Sequence, residues 1–212
     1  MSIIYPREMP YDTDTECTFE LDPGTVQYPQ GNGHPPMVTK IRDSLWSASF
    51  ATVPLNLVER AEWQAWYNSL HGGLKKFLGW DITRHQPLGY PNGVPAIRDG
   101  TWDGTATVED LGTPGLISVS GVPAGFILLP GDRVGLTEGE RFGYFEISTK
   151  SVADPDGTME LPVHPWVSSV FSTAATAVLF RPRCRMAIIS QSFSCPGVPG
   201  LARVSFQAVE AF

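Results

Sequence analysis

Basic charge is scarce in this sequence. Fifteen Lys and Arg residues face twenty-two Asp and Glu, for a formal net charge of −7. A protein that binds nucleic acid without sequence preference displaces phosphate counterions with many cations, so general DNA or RNA binding is not expected. Cysteine is scarce too. Cys17, Cys184 and Cys195 are odd in number and far apart. That excludes a disulfide framework and reads as reduced thiols. No apolar run approaches the roughly 20 residues of a membrane-spanning helix. The opening residues lack the basic and apolar regions of a secretory signal, so cytoplasmic synthesis without a membrane anchor is expected.

Catalytic patterns are missing as well. There is no G-x-S-x-G elbow, Walker loop or G-x-G-x-x-G, and Gly31-Asn32-Gly33 runs into His34-Pro35-Pro36 rather than into a helix. The four histidines and three cysteines form no C-x-x-C or H-x-x-x-H pair, so no zinc or iron–sulfur site is readable. Asp12, Asp14 and Glu16 have the alternate spacing of a calcium loop but not its central Gly or distal Glu, and read as a solvated acidic arm. Asp81 and His85 could pair as acid and base. With no nucleophile beside them, a hydrogen-bonded loop anchor is the better reading. The expectation is therefore a protein that is not an enzyme and carries no cofactor, metal or catalytic residue.

What the sequence does have is punctuation. Its 21 Gly and 19 Pro separate short apolar runs along the whole chain, the pattern of many strands joined by turns. Residues 1–36 read as an extended arm with one strand at 17–21. In 45–51, Trp46, Ala48 and Phe50 alternate with Leu45, Ser47 and Ser49, which predicts a half-buried strand. Further strands are expected at 75–80, 116–121, 133–137, 142–150, 158–163, 176–180 and 186–193, with a last one in which Val204, Phe206 and Ala208 alternate with polar residues. Residues 86–115 read as a Gly/Pro/Asp-rich connection, and 98–180 as a small closed or sandwich-like β unit.

One helix is expected, over about 57–71. Asn56 and Glu59 have capping-box spacing, and Gly72-Gly73 supplies a left-handed stop. The helix has two apolar stripes. Leu57, Val58, Ala61 and Ala65 form one, and Trp63, Trp66, Tyr67 and Leu70 form the other. A helix on a monomer's surface needs only one apolar face, so a second suggests that the helix is sandwiched, either inside the fold or between the fold and a neighbour. Charge is also uneven: residues 1–36 carry Glu8, Asp12, Asp14, Glu16, Glu20 and Asp22 against Arg7 alone. Arg181, Arg183 and Arg185 alternate, and on a strand they would form one basic row. Among the aromatics, Trp102, between Asp99 and Asp103 in a turn-rich stretch, is the residue expected to be exposed and is the candidate for a glycan platform.

The order of elements resembles that of the distal tail proteins of long-tailed bacteriophages and related gene transfer agents. The motifs are the strand 45–51, the helix with Ala61-Glu62-Trp63-Gln64-Ala65-Trp66, His71-Gly72-Gly73 and Trp80-Asp81-Ile82-Thr83-Arg84-His85. After these come Leu129-Pro130-Gly131-Asp132-Arg133-Val134, Phe142-Gly143-Tyr144-Phe145-Glu146-Ile147 and Asp154-Pro155-Asp156-Gly157-Thr158-Met159. The resemblance implies a mainly β chain with a split-barrel or β-sandwich-like ring domain, residues 1–85 plus 182–212, and an inserted small β domain, 98–180, OB-like or sandwich. It implies a structural virion protein: a homo-oligomeric ring, usually of six copies, at the tail tip between the tail tube protein and the hub or tip protein, with the tape measure protein a further candidate partner. A carbohydrate- or receptor-binding tail component is the alternative. The residues expected at the contact between copies are Trp63, Trp66, Tyr67, Leu70, Arg181, Arg183, Arg185, Asp12, Asp14 and Glu16.

Overall fold

The computed structural model describes residues 4–10, 15–28, 35–196 and 203–211. In chain order the strands begin with β1 (Arg7–Glu8), β2 (Thr15–Asp22), β3 (Thr25–Tyr28), β4 (Met37–Lys40) and β5 (Leu45–Thr52). Helix α1 (Leu57–Ser69) and β6 (Phe77–Gly79) follow, then the short α2 (Pro95–Arg98). Next come β7 (Thr105–Asp110), β8 (Leu116–Ser120), β9 (Ile127–Leu128), β10 (Arg133–Glu138), β11 (Arg141–Ile147), β12 (Ser151–Val152), β13 (Met159–His164) and β14 (Thr176–Val178). The series ends with β15 (Cys184–Ile188) and β16 (Ser205–Glu210). The protein is mainly β with one principal helix.

Two compact units divide the chain. One is Met1–Phe77 with Met186–Ala211, and the other spans Leu78–Arg185. The crossings fall inside β6 and β15.

The first unit rests on a six-stranded sheet in the order β1-β6-β15-β16-β5-β2. β2 runs antiparallel to β5 along its full length, Glu16 opposite Ala51 and Glu20 opposite Ser47. The strand expected at 17–21 within the arm is present and longer, as β2, and the β3–β4 ribbon that follows it was not expected. In β5 the expected alternation holds: Trp46, Ala48 and Phe50 are buried. Phe50 stacks on Phe206 of β16 with ring centroids 5.0 Å apart. Trp63 and Trp66 of α1 lie 5.9 and 5.6 Å from the same ring, so the helix covers this face of the sheet. Each large side chain buried there stabilises the unit by about 1.5–3 kcal/mol relative to exposure.

One carboxyl group breaks the apolar pattern. Glu210 is 9% exposed, and its Oε2 accepts the Trp46 backbone N–H at 3.1 Å. Burial pushes its pKa up to about 7, against the weaker opposing effect of that hydrogen bond.

The second unit is a closed antiparallel barrel in the order β10-β11-β13-β8-β7-β14. β14 returns to β10 with Gly135 opposite Val178 and Thr137 opposite Thr176, which leaves no open edge in the barrel. Val108, Ile117, Val119, Val134, Leu136, Ile147, Leu161 and Ala177 fill it. The stretch 86–115, expected to be connection, contributes α2 and the barrel strand β7. Thr105, Ala106, Thr107 and Val108 do alternate, but the flanking Asp and Gly residues dominate any short window. Gly104 stands at the start of that strand with φ +85°, where a Cβ would lie 2.5 Å from the Phe180 Cβ. Glu109 is a bulge between the pairs Val108–Val119 and Asp110–Ser118.

Candidate assembly surfaces

Helix α1 begins as its sequence dictates. Asn56 Oδ1 accepts the N–H groups of Val58 and Glu59 at 2.9 and 3.0 Å, and Glu59 Oε2 accepts the Asn56 N–H at 2.9 Å. After Leu70 the chain turns left-handed at His71, φ +50°, and continues so through Gly72, φ +67°. Its two stripes have different fates. Trp63, Trp66 and Leu70 are 0%, 2% and 0% exposed, and the Trp66 indole donates to the Glu8 carbonyl at 2.8 Å. Tyr67 is half-buried and stacks on Phe193 at 3.8 Å. The aromatic stripe is therefore the unit's own core, and Trp63, Trp66 and Leu70 present no surface to a neighbouring copy. The stripe left uncovered is the other one: Leu57 is 64% and Val58 68% exposed, with Ala61 and Ala65 exposed beyond them. Aromatic bulk decides the matter, because Trp and Tyr bury far more area than Ala.

The arginine row does not form. Only Arg185 lies on β15, whereas Arg181 has a left-handed φ of 52° and donates its backbone N–H to the His85 carbonyl at 2.7 Å. The Arg183 guanidinium lies over the Trp80 ring at 5.5 Å, half-buried, and loss of water holds its pKa below the usual arginine value. Arg185 Nη1 donates to the Glu140 carbonyl at 3.3 Å. Alternate spacing makes a row only where the backbone is extended throughout, and here it is not. Of the acidic residues expected at a contact, Asp12 and Asp14 lie outside the described residues, and Glu16 is exposed on β2.

The sheet of the first unit carries opposite charge at its two edges. Glu16 and Glu20 are exposed on the edge strand β2, while Asp22 is engaged by Arg42 at 2.5 Å. At the other edge, β1 contributes Arg7 and Glu8, and Lys75 and Lys76 lead into β6. Arg7 N–H donates to the Lys76 carbonyl at 3.4 Å, which ties the two segments together. On the open face between the edges, Thr18, Ser49 and Gln207 line up across three strands, as do Glu20, Ser47 and Val209. A shallow concavity of about 210 Å³ lies there, lined by Thr18, Glu20, Ser47, Ser49, Ile189 and Gln207. The β3–β4 ribbon exposes Tyr28, Met37 and Val38, each by about half.

Asp81 and His85 do not face each other. Asp81 is buried and accepts Thr83 N–H and Oγ1–H at 3.0 and 2.6 Å, with Arg133 Nη2 at 3.4 Å, while His85 Nδ1 lies 2.8 Å from the Ile82 carbonyl. Arg133 also pairs with Glu146, so Asp81 belongs to a buried ionic cluster of the barrel unit. No group of three His, Cys, Asp or Glu among the described residues is placed to hold a metal ion.

Trp102 is half-buried rather than exposed: its indole donates to the Thr105 carbonyl at 2.6 Å and its ring meets Phe126 edge-on at 4.9 Å. The exposed tryptophan is Trp166, at 71%, two residues past the end of β13. A Trp directly after Pro165 and outside any alternation was the available signal. Neither a family model nor a curated protein matches the chain.

Proposed function

We propose that this chain is a structural assembly subunit, forming a ring at the tip of a bacteriophage tail that joins the tail tube to the hub or tip complex. In this reading its contacts are copies of itself, six as the resemblance implies, together with the tail tube, hub and tape measure proteins. It is made in the host cytoplasm and resides in the virion. It is not an enzyme. The observation that carries assembly is the uncovered stripe of Leu57, Val58, Ala61 and Ala65 on a helix whose opposite stripe is already buried. A contiguous apolar strip beside a complete core is the mark of a contact surface. The ribbon with Tyr28, Met37 and Val38 supports the same reading, because a two-stranded hairpin without a covering partner is marginal in water. The tail location rests on the resemblance alone. Sedimentation velocity of the purified chain tests assembly, and a mass fixed at one copy at all concentrations would rule it out for the chain alone. Electron microscopy of the chain mixed with tail tube protein tests the location.

Exposed Trp166 favours a second reading, a receptor-binding tail component that stacks a sugar on the indole. Glycan-array binding that Trp166→Ala abolishes would select it.

A further inference from the structure

We infer that copies of this chain meet edge to edge, with the acidic β2 edge of one first-unit sheet against the Arg7/Lys75/Lys76 edge of the next. The inference rests on the assembly reading above and names its contact. The two edges lie at opposite ends of one sheet order, and they differ in sign. Glu16 and Glu20 are exposed on β2 with no cation paired to either carboxylate among the salt bridges of the described residues. The other end carries three cations and one carboxylate: Arg7, Lys75 and Lys76 with Glu8.

A second copy is the occupant because the charge it must bring is already on the same sheet. Each edge supplies what the opposite edge of its neighbour lacks. A contact between two different patches of one chain is heterologous, and it closes into a ring where the rotation between copies permits. Two acidic edges, or two basic ones, repel, so the pattern also disfavours a symmetric edge-to-edge dimer. The acidic partner residues expected from the sequence are kept in part, through Glu16. The cationic partner is not the Arg181/Arg183/Arg185 segment but the lysines before β6.

The uncovered apolar stripe of α1 fits this arrangement in energy. Exposed ion pairs are individually weak and set orientation rather than affinity. Apolar contact through Leu57 and Val58 would supply affinity, and the edges would set which way round the copies pack.

The test uses the full chain, in sedimentation velocity over a range of protein and salt concentrations. Glu16→Lys with Glu20→Lys makes both edges positive, and Lys75→Glu with Lys76→Glu makes both negative. Each variant should fold, by circular dichroism, and should associate at least about tenfold more weakly than wild type at low salt. Mixed in equal amounts, the two variants should assemble again, alternating around the ring. Lys75→Glu alone replaces the double change if that variant does not fold, since Lys76 is half-buried. Wild-type assembly should also weaken as salt shortens the screening length to about 8 Å and below. If the wild type assembles and both variants do so equally well, the edge contact is wrong and the assembly reading stands. If each variant is monomeric and the mixture stays so, the opposed edges are also refuted. A wild type that never associates overturns both.

Discussion

Replacing Glu210 by Gln should stabilise the first unit above neutral pH and bring no gain in acid. The carboxyl group is buried beside Trp46, with its pKa raised from 4.5 to about 7 by loss of water. Below pH 4.5 the group is protonated both folded and unfolded, and its contribution is constant. As pH rises from there towards 7, the unfolded chain releases the proton and the folded chain retains it, so folding is progressively penalised. Above 7 both forms are ionised and the penalty is level. At 1.36 kcal/mol for each pH unit, the displacement corresponds to roughly 3 kcal/mol. Gln keeps an oxygen to accept the Trp46 N–H now held at 3.1 Å, and its new N–H₂ group offsets the gain by about 1 kcal/mol if it finds no partner. Urea unfolding of both proteins at pH 4 and pH 8, followed by the fluorescence of Trp46, Trp63 and Trp66, measures the effect; the transitions of the two units must be fitted separately. The variant should gain about 2–3 kcal/mol over wild type on going from pH 4 to pH 8. Equal pH dependence in the two proteins would refute the reasoning.

Trp63→Ala should cost the first unit about 3–5 kcal/mol, read as a shift of the urea midpoint, because the ring is fully buried against Trp66 and Phe206. Leu57→Asp with Val58→Asp should leave the melting temperature within a few degrees, since both side chains are more than half exposed, while lowering association in sedimentation. Gly104→Ala should destabilise the barrel by about 2 kcal/mol or more in thermal unfolding, from its φ of +85° and the contact with Phe180.

Local chemistry was legible in the sequence. The cap at Asn56 and the alternation of Trp46, Ala48 and Phe50 depend on residues within a few positions and appear in the fold, while the helix ends at Ser69, short of 71, and turns left-handed first at His71. Pairings across long separations were not. Nothing near Thr176 says that its strand returns to β10, and Thr105–Asp110 hides among turn formers although its register in the barrel is well defined. Both of the helix's stripes are apolar, and in the fold the bulkier aromatic one lies on the sheet against Phe206. The arginine row failed at one backbone angle: spacing cannot reveal that Arg181 turns left-handed. Trp102 and Trp166 exchanged roles for a similar reason. A tryptophan in a turn has local backbone to donate to, whereas Trp166 follows a proline beyond the end of its strand.

The place of β16 has a consequence for the order in which the chain can fold as it is made. This strand, among the last residues described, lies between β15 and β5, and its Phe206 is the ring on which Trp63, Trp66 and Phe50 converge. Until it leaves the ribosome, β5 has β2 on one side but its other edge is unpaired, and Trp63 and Trp66 lack the Phe206 ring on which they pack. The barrel has all its strands between Thr105 and Val178 and can close before β16 emerges. The barrel strands are thus all made before the first unit's sheet receives β16. A chain that stops short of β16 would carry the acidic β2 paired to β5 without the strand that joins that pair to β15.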